Sequence, residues 1–324
     1  MVAPLAPTGV PLPVGTRLVA EPRIDDLAPG LVAGGAPWRL LRVSGTARDA
    51  IERWRAGAAV APGEERLART LTDAGLFFVE ADPVDVDVDV VVPVRDDADR
   101  LKLVLDSLAG HSVTVVDDGS IDADAVAVAA HDAGARLVRL DQSRGPGAAR
   151  NAGAAFGSAA LVWFVDADID VGDARAALRG LAAPFADPRV GAVAARVVGP
   201  PVRGTRASFE SRFSPLDLGP RDALVRPGGA VGYVPAACLL VRREALGSGF
   251  DEAMRVGEDV DLVWRLDSAG WLVRHRAGVV VEHPARSTWG AWCRQRVGYG
   301  RSAAALRARH GDVAAPLRAD RVTA

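Results

Sequence analysis

From Val88 onward, strand-like and helix-like segments alternate along the chain, and this alternation limits the fold more than any other feature. The stretch VDVVVPV (88–94) is a continuous apolar run, which is typical of a parallel strand buried on both faces. Further strands are predicted at 113–120, 136–140 and 161–170, with helical segments between them. Strands separated by helices at this spacing predict an α/β domain with a mostly parallel sheet and helices on both faces.

Polar residues stand where three of the predicted strands end: Arg95–Asp97, Asp117–Asp118 and Asp166–Asp168. Ligands of open parallel sheets bind beyond the carboxyl ends of the strands, so we expect a site at this edge. Two carboxylates spaced by one residue, Asp166 and Asp168, can approach one divalent cation, and Mg²⁺ or Mn²⁺ prefers oxygen ligands. The same acids could instead form a solvated turn.

The loops around these strand ends contain further residues suited to a nucleotide. Asp117–Asp118 could accept a hydrogen bond from a ring N–H of a nucleobase, or could simply form an Asx-turn that ends the strand. The segment GPGAAR (145–150) lacks the third glycine of a dinucleotide-binding fingerprint. Arg144 and Arg150 are therefore interpreted as donors to a uridine or a diphosphate.

The second half of the chain contains a candidate general base. The segment GEDVDLVWRL (257–266) places Glu258, Asp259 and Asp261 at the start of a predicted helix. Acids are stabilised in the first turn by the helix dipole, which alone would explain Glu258 and Asp261. Asp259 is interpreted as the base for an acceptor hydroxyl. His283, after an apolar strand, is either structural or a metal ligand.

The composition excludes several classes of protein. The 39 basic and 41 acidic residues give a net charge of −2, so no single-sign surface indicates a nucleic acid or an anionic membrane as partner. Two cysteines are too few for a disulfide framework or a multi-cysteine zinc site. Neither a signal-peptide pattern nor an apolar run of about 18 residues is present, so we expect a cytoplasmic protein.

The pattern changes along the chain and predicts several units. Residues 1–15 are rich in Pro and Ala and are expected to form a loose lead. Residues 16–83 combine short strands and helices in a small α+β module of winged-helix size. The α/β domain is assigned to residues 84–312, and residues 313–324 to a C-terminal tail.

The ordered motifs VVVPVRDD, VVDDGS, GPGAARNAG, FVDAD and GEDVDLVWRL resemble those of inverting glycosyltransferases of family 2, which have the GT-A fold, a Rossmann-like α/β architecture. The resemblance covers about residues 88–310. The segment GGAPWRLLRVSG (34–45) and the module around it are similar to the glycosyltransferases of the mycofactocin system, in which that module is a PqqD-like peptide-recognition fold.

This resemblance implies a substrate pair. A hexose, glucose from UDP-glucose, would be transferred onto a peptide-derived redox cofactor precursor to build a β-linked oligosaccharide. Members of the family continue into a more hydrophobic region, so a longer form would contact the membrane peripherally.

The resemblance also implies roles for individual residues. Uracil and ribose would be held by Pro93, Val94, Arg95 and Asp118, with Arg144 and Arg150 assisting. Asp166 would lie near the ribose and a divalent cation, Mg²⁺ or Mn²⁺, and Asp168 and His283 would bind the cation. Asp259 matches the base of the family's Glu-Asp motif, and Glu258 is the next candidate.

Other functions remain open from the residues alone. A family 2 enzyme could act on a cell-envelope glycan or a lipid acceptor, and a chain without activity could serve as a peptide- or sugar-binding adaptor. A nucleotidyltransferase would carry a Gly-rich basic loop after the first strand, where this chain has Arg95–Asp97.

Overall fold

A computed structural model describes residues 3–7, 9–200, 214–284 and 289–314 of the 324-residue chain. The strands of the described part are β1 (Arg17–Ala20), β2 (Asp25–Ala28), β3 (Leu31–Gly34), β4 (Arg39–Arg42), β5 (Phe77–Glu80), β6 (Val88–Val94), β7 (Ser112–Asp117), β8 (Arg136–Arg139), β9 (Leu161–Val165), β10 (Val190–Val198), β11 (Ala223–Val225), β12 (Cys238–Arg242) and β13 (Leu272–Glu282). The helices are α1 (Gly45–Arg55), α2 (Glu65–Asp73), α3 (Ala98–Ser107), α4 (Ala123–Asp132), α5 (Pro146–Ala154), α6 (Ala174–Ala182), α7 (Arg243–Leu246), α8 (Glu258–Ser268) and α9 (Trp289–His310). None of these helices is long and apolar enough to span a bilayer.

An eight-stranded sheet forms the centre of the larger part of the molecule, in the order β11-β13-β10-β12-β9-β6-β7-β8. Strand β6 runs parallel to β7 and β9, β7 parallel to β8, and β10 parallel to β13. Strand β12 is antiparallel to both of its neighbours, and β11 is antiparallel to β13. The predicted α/β class with a mostly parallel sheet is confirmed.

Helices cover both faces of this sheet. Because side chains alternate along a strand, Val90 and Val92 of β6 join one apolar cluster, and Val91 between them joins the other. The first cluster includes side chains of α3, α4 and α6, and the second those of α5, α7 and α8. Burial on both faces explains why β6 reads as an unbroken apolar run.

The N-terminal part contains two small antiparallel sheets, β1-β5 and β2-β3-β4, with α1 and α2. Its own apolar cluster centres on Trp54 and Phe77, whose rings meet edge to face at 5.6 Å. Every residue of β2 is exposed, so the strand has no apolar alternation that could reveal it.

A buried ion pair and two hydrogen bonds to backbone carbonyls join this module to the sheet domain. Arg69 of α2 donates to both oxygens of Asp187 at 2.9 and 2.8 Å, and both side chains are buried. Arg226 donates to the carbonyls of Ala36 and Asp73 and to Asp267 of α8. A buried charge is stable only when it is paired, so these contacts fix the module against the sheet.

The start of the chain differs from the expected loose lead. Ala3 and Ala6 are buried, and the N–H of Ala6 donates to the carbonyl of Ala269 at 2.9 Å. The indole of Trp271 donates to the carbonyl of Pro4 at 2.7 Å. Small side chains let the segment lie close to the sheet domain, a contact that its Pro- and Ala-rich composition does not indicate. The expected tail 313–324 lies, from residue 315 on, outside the described residues.

Candidate active site

A cleft of about 460 Å³ lies beyond the carboxyl ends of β6, β7 and β9. Its walls are the strand ends and the loop that leads into α5. Six of the seven residues predicted to bind a donor line this cleft: Pro93, Val94, Arg95, Asp118, Arg150 and Asp166. The parallel order of these strands is what brings residues so far apart in sequence to one edge.

Asp118 shapes the loop on one side of the cleft. Its carboxylate accepts hydrogen bonds from the backbone N–H groups of Arg144 at 2.6 Å and Gly145 at 2.9 Å, and from the hydroxyl of Ser143 at 2.8 Å. Asp117 has the local role, because its carboxylate accepts from the N–H of Ser120 and so closes the turn after β7. Asp118 therefore fixes the backbone that borders the cleft.

Arg144, the seventh predicted donor residue, is not among the residues that line the cleft. Its guanidinium is paired with Glu252. Arg255 lines the cleft instead and donates to the carbonyl of Ser143 at 3.2 Å. Sequence reasoning missed Arg255 because it stands in a loop before α8 with no motif of its own.

The turn after β9 brings Asp168 and His283 together. Asp170 and Glu282 exchange backbone hydrogen bonds of 2.8 and 2.9 Å, which attach this turn to the end of β13. As a result, Oδ2 of Asp168 and Nε2 of His283 lie 3.2 Å apart. The buried side chain of Ile169 anchors the turn between them.

This pair fits a divalent cation in part. A carboxylate oxygen and an imidazole nitrogen that converge at one point are suitable ligands for Mn²⁺. In the described residues, however, no group of three His, Cys, Asp or Glu side chains forms a complete ligand set. A cation here would need further oxygen ligands from a bound substrate, which is how Mg²⁺ and Mn²⁺ commonly bind phosphates.

Arg150 connects this turn with the start of α8. Its guanidinium donates to Oδ1 of Asp166 at 2.7 Å and to Oε1 of Glu258 at 2.9 Å. Burial by itself would lower the pKa of Arg150, but the carboxylates of Asp166 and Glu258 raise it above its ordinary value, so the side chain stays charged. Burial raises the pKa of Asp166, and the charge of Arg150 opposes that shift.

A second cavity, of about 520 Å³, adjoins the first and shares Arg150, Asp166 and Asp168 with it. Its lining is largely apolar and includes Trp264. Both tyrosines of the chain, Tyr233 and Tyr299, contribute to its wall. The second cavity is therefore polar near the strand ends and largely apolar elsewhere.

The two acids at the start of α8 have different surroundings. The helix begins after Gly257, which has a φ of +85° that favours glycine. Glu258 is buried and paired with Arg150, whereas Asp259 is only partly buried and lines the second cavity. Asp261 is bound to Arg265 and His310. Glu258 also lines the second cavity, but its carboxylate is engaged by Arg150, so of the two acids Asp259 is the better placed to meet a ligand.

The environment of Asp259 alters its titration. Burial and the nearby charge of Glu258 raise the pKa of Asp259 to about 6, and Arg150 acts in the opposite direction. The backbone N–H groups of Val260 and Ala236 donate to its carboxylate and fix its position. Such a group accepts a proton readily near neutral pH.

The central sheet has helices on both faces, and acids at the ends of its strands lie between two adjoining cavities. This arrangement is that of a GT-A-type protein. The chain belongs to glycosyl transferase family 2, whose family model matches residues 89–250. It is therefore a glycosyltransferase.

The chain is also similar in sequence to individual proteins. Over 320 residues the chain is 39% identical to the pre-mycofactocin glycosyltransferase of Mycobacterium tuberculosis, an alignment covering 96% of this chain and 67% of that protein. It is 33% identical over 191 residues to the succinoglycan biosynthesis protein ExoO of Rhizobium meliloti, covering 55% of this chain and 54% of the relative.

A solved structure shares the fold. It is a mannosyltransferase of Pyrobaculum calidifontis in complex with GDP-Man and Mn²⁺, with a TM-score of 0.55 and 22% identity. The match covers 71% of this chain and 67% of the mannosyltransferase. The likeness confirms the GT-A fold predicted from the motifs.

Proposed function

We propose that this chain transfers glucose from UDP-glucose, with inversion, onto a peptide-derived redox cofactor precursor and builds a β-linked oligosaccharide in mycofactocin biosynthesis. The observation that carries the proposal is the 39% identity to the pre-mycofactocin glycosyltransferase, which extends over 96% of the chain and includes the N-terminal module.

The first cavity is the proposed donor site. Pro93, Val94, Arg95 and Asp118 would border the uridine, and Arg255 would take the diphosphate contact that the sequence assigned to Arg144. Asp168 and His283 would hold a divalent cation, with Asp166 beside them. When bound, the cation would neutralise charge that develops on the departing diphosphate.

The second cavity is the proposed acceptor site. Asp259 would remove the proton of the acceptor hydroxyl as its oxygen attacks the anomeric carbon and the bond to the diphosphate breaks. Because attack and departure take place on opposite faces of the sugar, the configuration inverts in one step. Arg255 would stabilise the released UDP together with the cation.

The module in front of the sheet domain is proposed to bind the peptide part of the acceptor, in the manner of a PqqD-like fold. Within the described residues, β4 pairs with β3 on one side only. A groove of about 460 Å³ runs beside β4 and is lined by Leu41, Val43, Leu67 and Leu71. An unpaired strand edge next to an apolar groove can take up an extended peptide as an additional strand.

A panel of sugar nucleotides, each incubated with the precursor and a divalent cation, tests the proposal, with products identified by mass spectrometry. Addition of hexose units from UDP-glucose is expected. Transfer to the precursor from none of the donors would refute the proposed function.

A glycan acceptor is the second candidate, because the succinoglycan biosynthesis protein is 33% identical over 191 residues. Glucosylation of short β-glucans at the same rate in the presence and absence of precursor would favour it.

A further inference from the structure

Arg150 occupies an enclosed position between the two halves of the site. Gly153, on the same helix, allows α5 to lie directly on the sheet, since a Cβ there would come within 2.4 Å of Val91. The guanidinium of Arg150 lies over the ring of Phe250 at 5.3 Å, and the residue is 4% exposed. Arg150 is therefore held by packing as well as by its ion pairs.

The two partners of Arg150 belong to different halves of the site. Asp166 directly follows β9, in the turn that carries the proposed cation ligand Asp168, and Glu258 begins the helix that carries Asp259. One planar guanidinium donates to both carboxylates in a fixed geometry, which a lysine ammonium cannot reproduce. The contacts fix the spacing between the donor-side turn and the first turn of α8.

The negative charges around Arg150 explain why its contacts with Asp166 and Glu258 are needed. The negative charges of Asp166, Glu258 and Asp259 all favour the charged form of Arg150. The first two accept hydrogen bonds from its guanidinium at less than 3 Å. Without the arginine, the buried Glu258 would lose its charged partner, and like charges would push the two halves of the site apart.

We infer that Arg150 is a positioning residue: it acts through Asp166 and Glu258 to hold Asp259 at the correct distance from the donor, and it does not bind the donor directly. This inference rests on the proposed function. It gives Glu258, the second candidate for the base, a supporting role instead. A misplacement of about 1 Å at such a site can lower the rate about a hundredfold.

The experiment compares Arg150→Lys with Arg136→Lys as a matched control. Arg136 also lies over a phenylalanine ring, that of Phe156 at 5.7 Å, but it is exposed and outside both cavities. Transfer kinetics and hydrolysis of UDP-glucose are measured for each variant, and thermal unfolding checks that each is folded.

For Arg150→Lys, we expect kcat for transfer to fall about 10- to 100-fold, while KM for UDP-glucose stays within about threefold. The share of donor lost to hydrolysis should rise, because the acceptor side is displaced. Arg136→Lys should resemble the wild type. A large rise in the donor KM with unchanged kcat would overturn the inference, since it would make Arg150 a donor ligand.

Glu258→Gln provides a second, independent variant in case Arg150→Lys does not fold. It should lower kcat in the same way. The double variant should be little worse than either single variant, because both changes break the same contact between Arg150 and Glu258. Additive losses would overturn the inference. Absence of transfer by the wild type would instead refute the proposed function, so the two failures are distinguishable.

Discussion

The pH dependence of transfer tests the assignment of Asp259 as the base. Burial and the charge of Glu258 raise the pKa of Asp259 to about 6. A carboxylate accepts a proton only when it is ionised, so kcat/KM should rise with pH through about 6 and level off above about pH 7. A folded-state pKa above the ordinary value of an aspartate means that activity is lost as the pH falls through about 6.

The magnitude follows from this pKa. At about pH 5, a group with a pKa of about 6 is ionised to about one-tenth, whereas an ordinary aspartate would be ionised to about nine-tenths. The wild type should therefore keep about a tenth of its plateau rate at pH 5. The cavity around Asp259 is also lined by His283 and by charged side chains, so a variant must identify which group is responsible for the pH dependence. The charged side chains are Glu258, Arg150, Asp166, Asp168 and Arg255.

Asp259→Asn is that variant, and Asp124→Asn is its control. Asp124 stands in the first turn of α4, as Asp259 does in α8, but it is exposed and lines neither cavity. Initial rates of UDP release and of product formation are measured at constant ionic strength. Asp259→Asn should lower transfer about a hundredfold or more and abolish the acidic limb, with UDP-glucose still bound. A rate near that of the wild type, or a wild-type profile that is flat from about pH 5 to 7, would refute the reasoning.

Three further predictions concern the cation, the module interface and the peptide groove. Asp168→Asn should weaken Mn²⁺-dependent binding of UDP-glucose in calorimetry, and unchanged binding would contradict a ligand role. Arg69→Ala should lower the free energy of unfolding by about 3–5 kcal/mol in denaturant titrations, because its carboxylate partner is left buried and unpaired. Arg175→Ala is the control, because it removes an exposed ion pair with Asp85 and should change the free energy of unfolding far less. Equal losses in the two variants would contradict a stabilising role of the buried Arg69–Asp187 pair. Leu41→Asp should weaken precursor binding and spare donor hydrolysis, whereas Leu27→Asp, at an exposed site, should change neither.

The sequence predicts those parts of the fold in which burial is visible along the chain. The predicted strand 88–94 coincides with β6, because both faces of that strand are buried and every buried position is apolar. The exposed strand β2 carries no comparable pattern. Contacts between residues far apart in the sequence also leave no local pattern. The contact between Asp168 and His283, for example, depends on the backbone bridge between Asp170 and Glu282.

The direction of a side chain is a second feature that the sequence does not predict. Arg144 stands in the loop before α5 and Arg255 in the loop before α8, and only the folded chain shows that Arg144 is paired with Glu252 while Arg255 lines the cleft. Residue type and position in a motif were sufficient to find the region of the site. They were insufficient to decide which arginine lies in it, because a long side chain can point to either side of its backbone.

Helix α8 links the proposed base to the N-terminal module. Its first turn carries Asp259 beside the cavities, and its last turn carries Asp267, which accepts from Arg226 at 2.6 Å. The same arginine donates to the backbone carbonyls of Ala36 and Asp73 in the module. A helix of three turns is stiff along its axis, so the position of the module and the position of the base are set by one element. The distance from the groove beside β4 to Asp259 is therefore a property of the fold, which suits the proposed transfer to a peptide-derived acceptor.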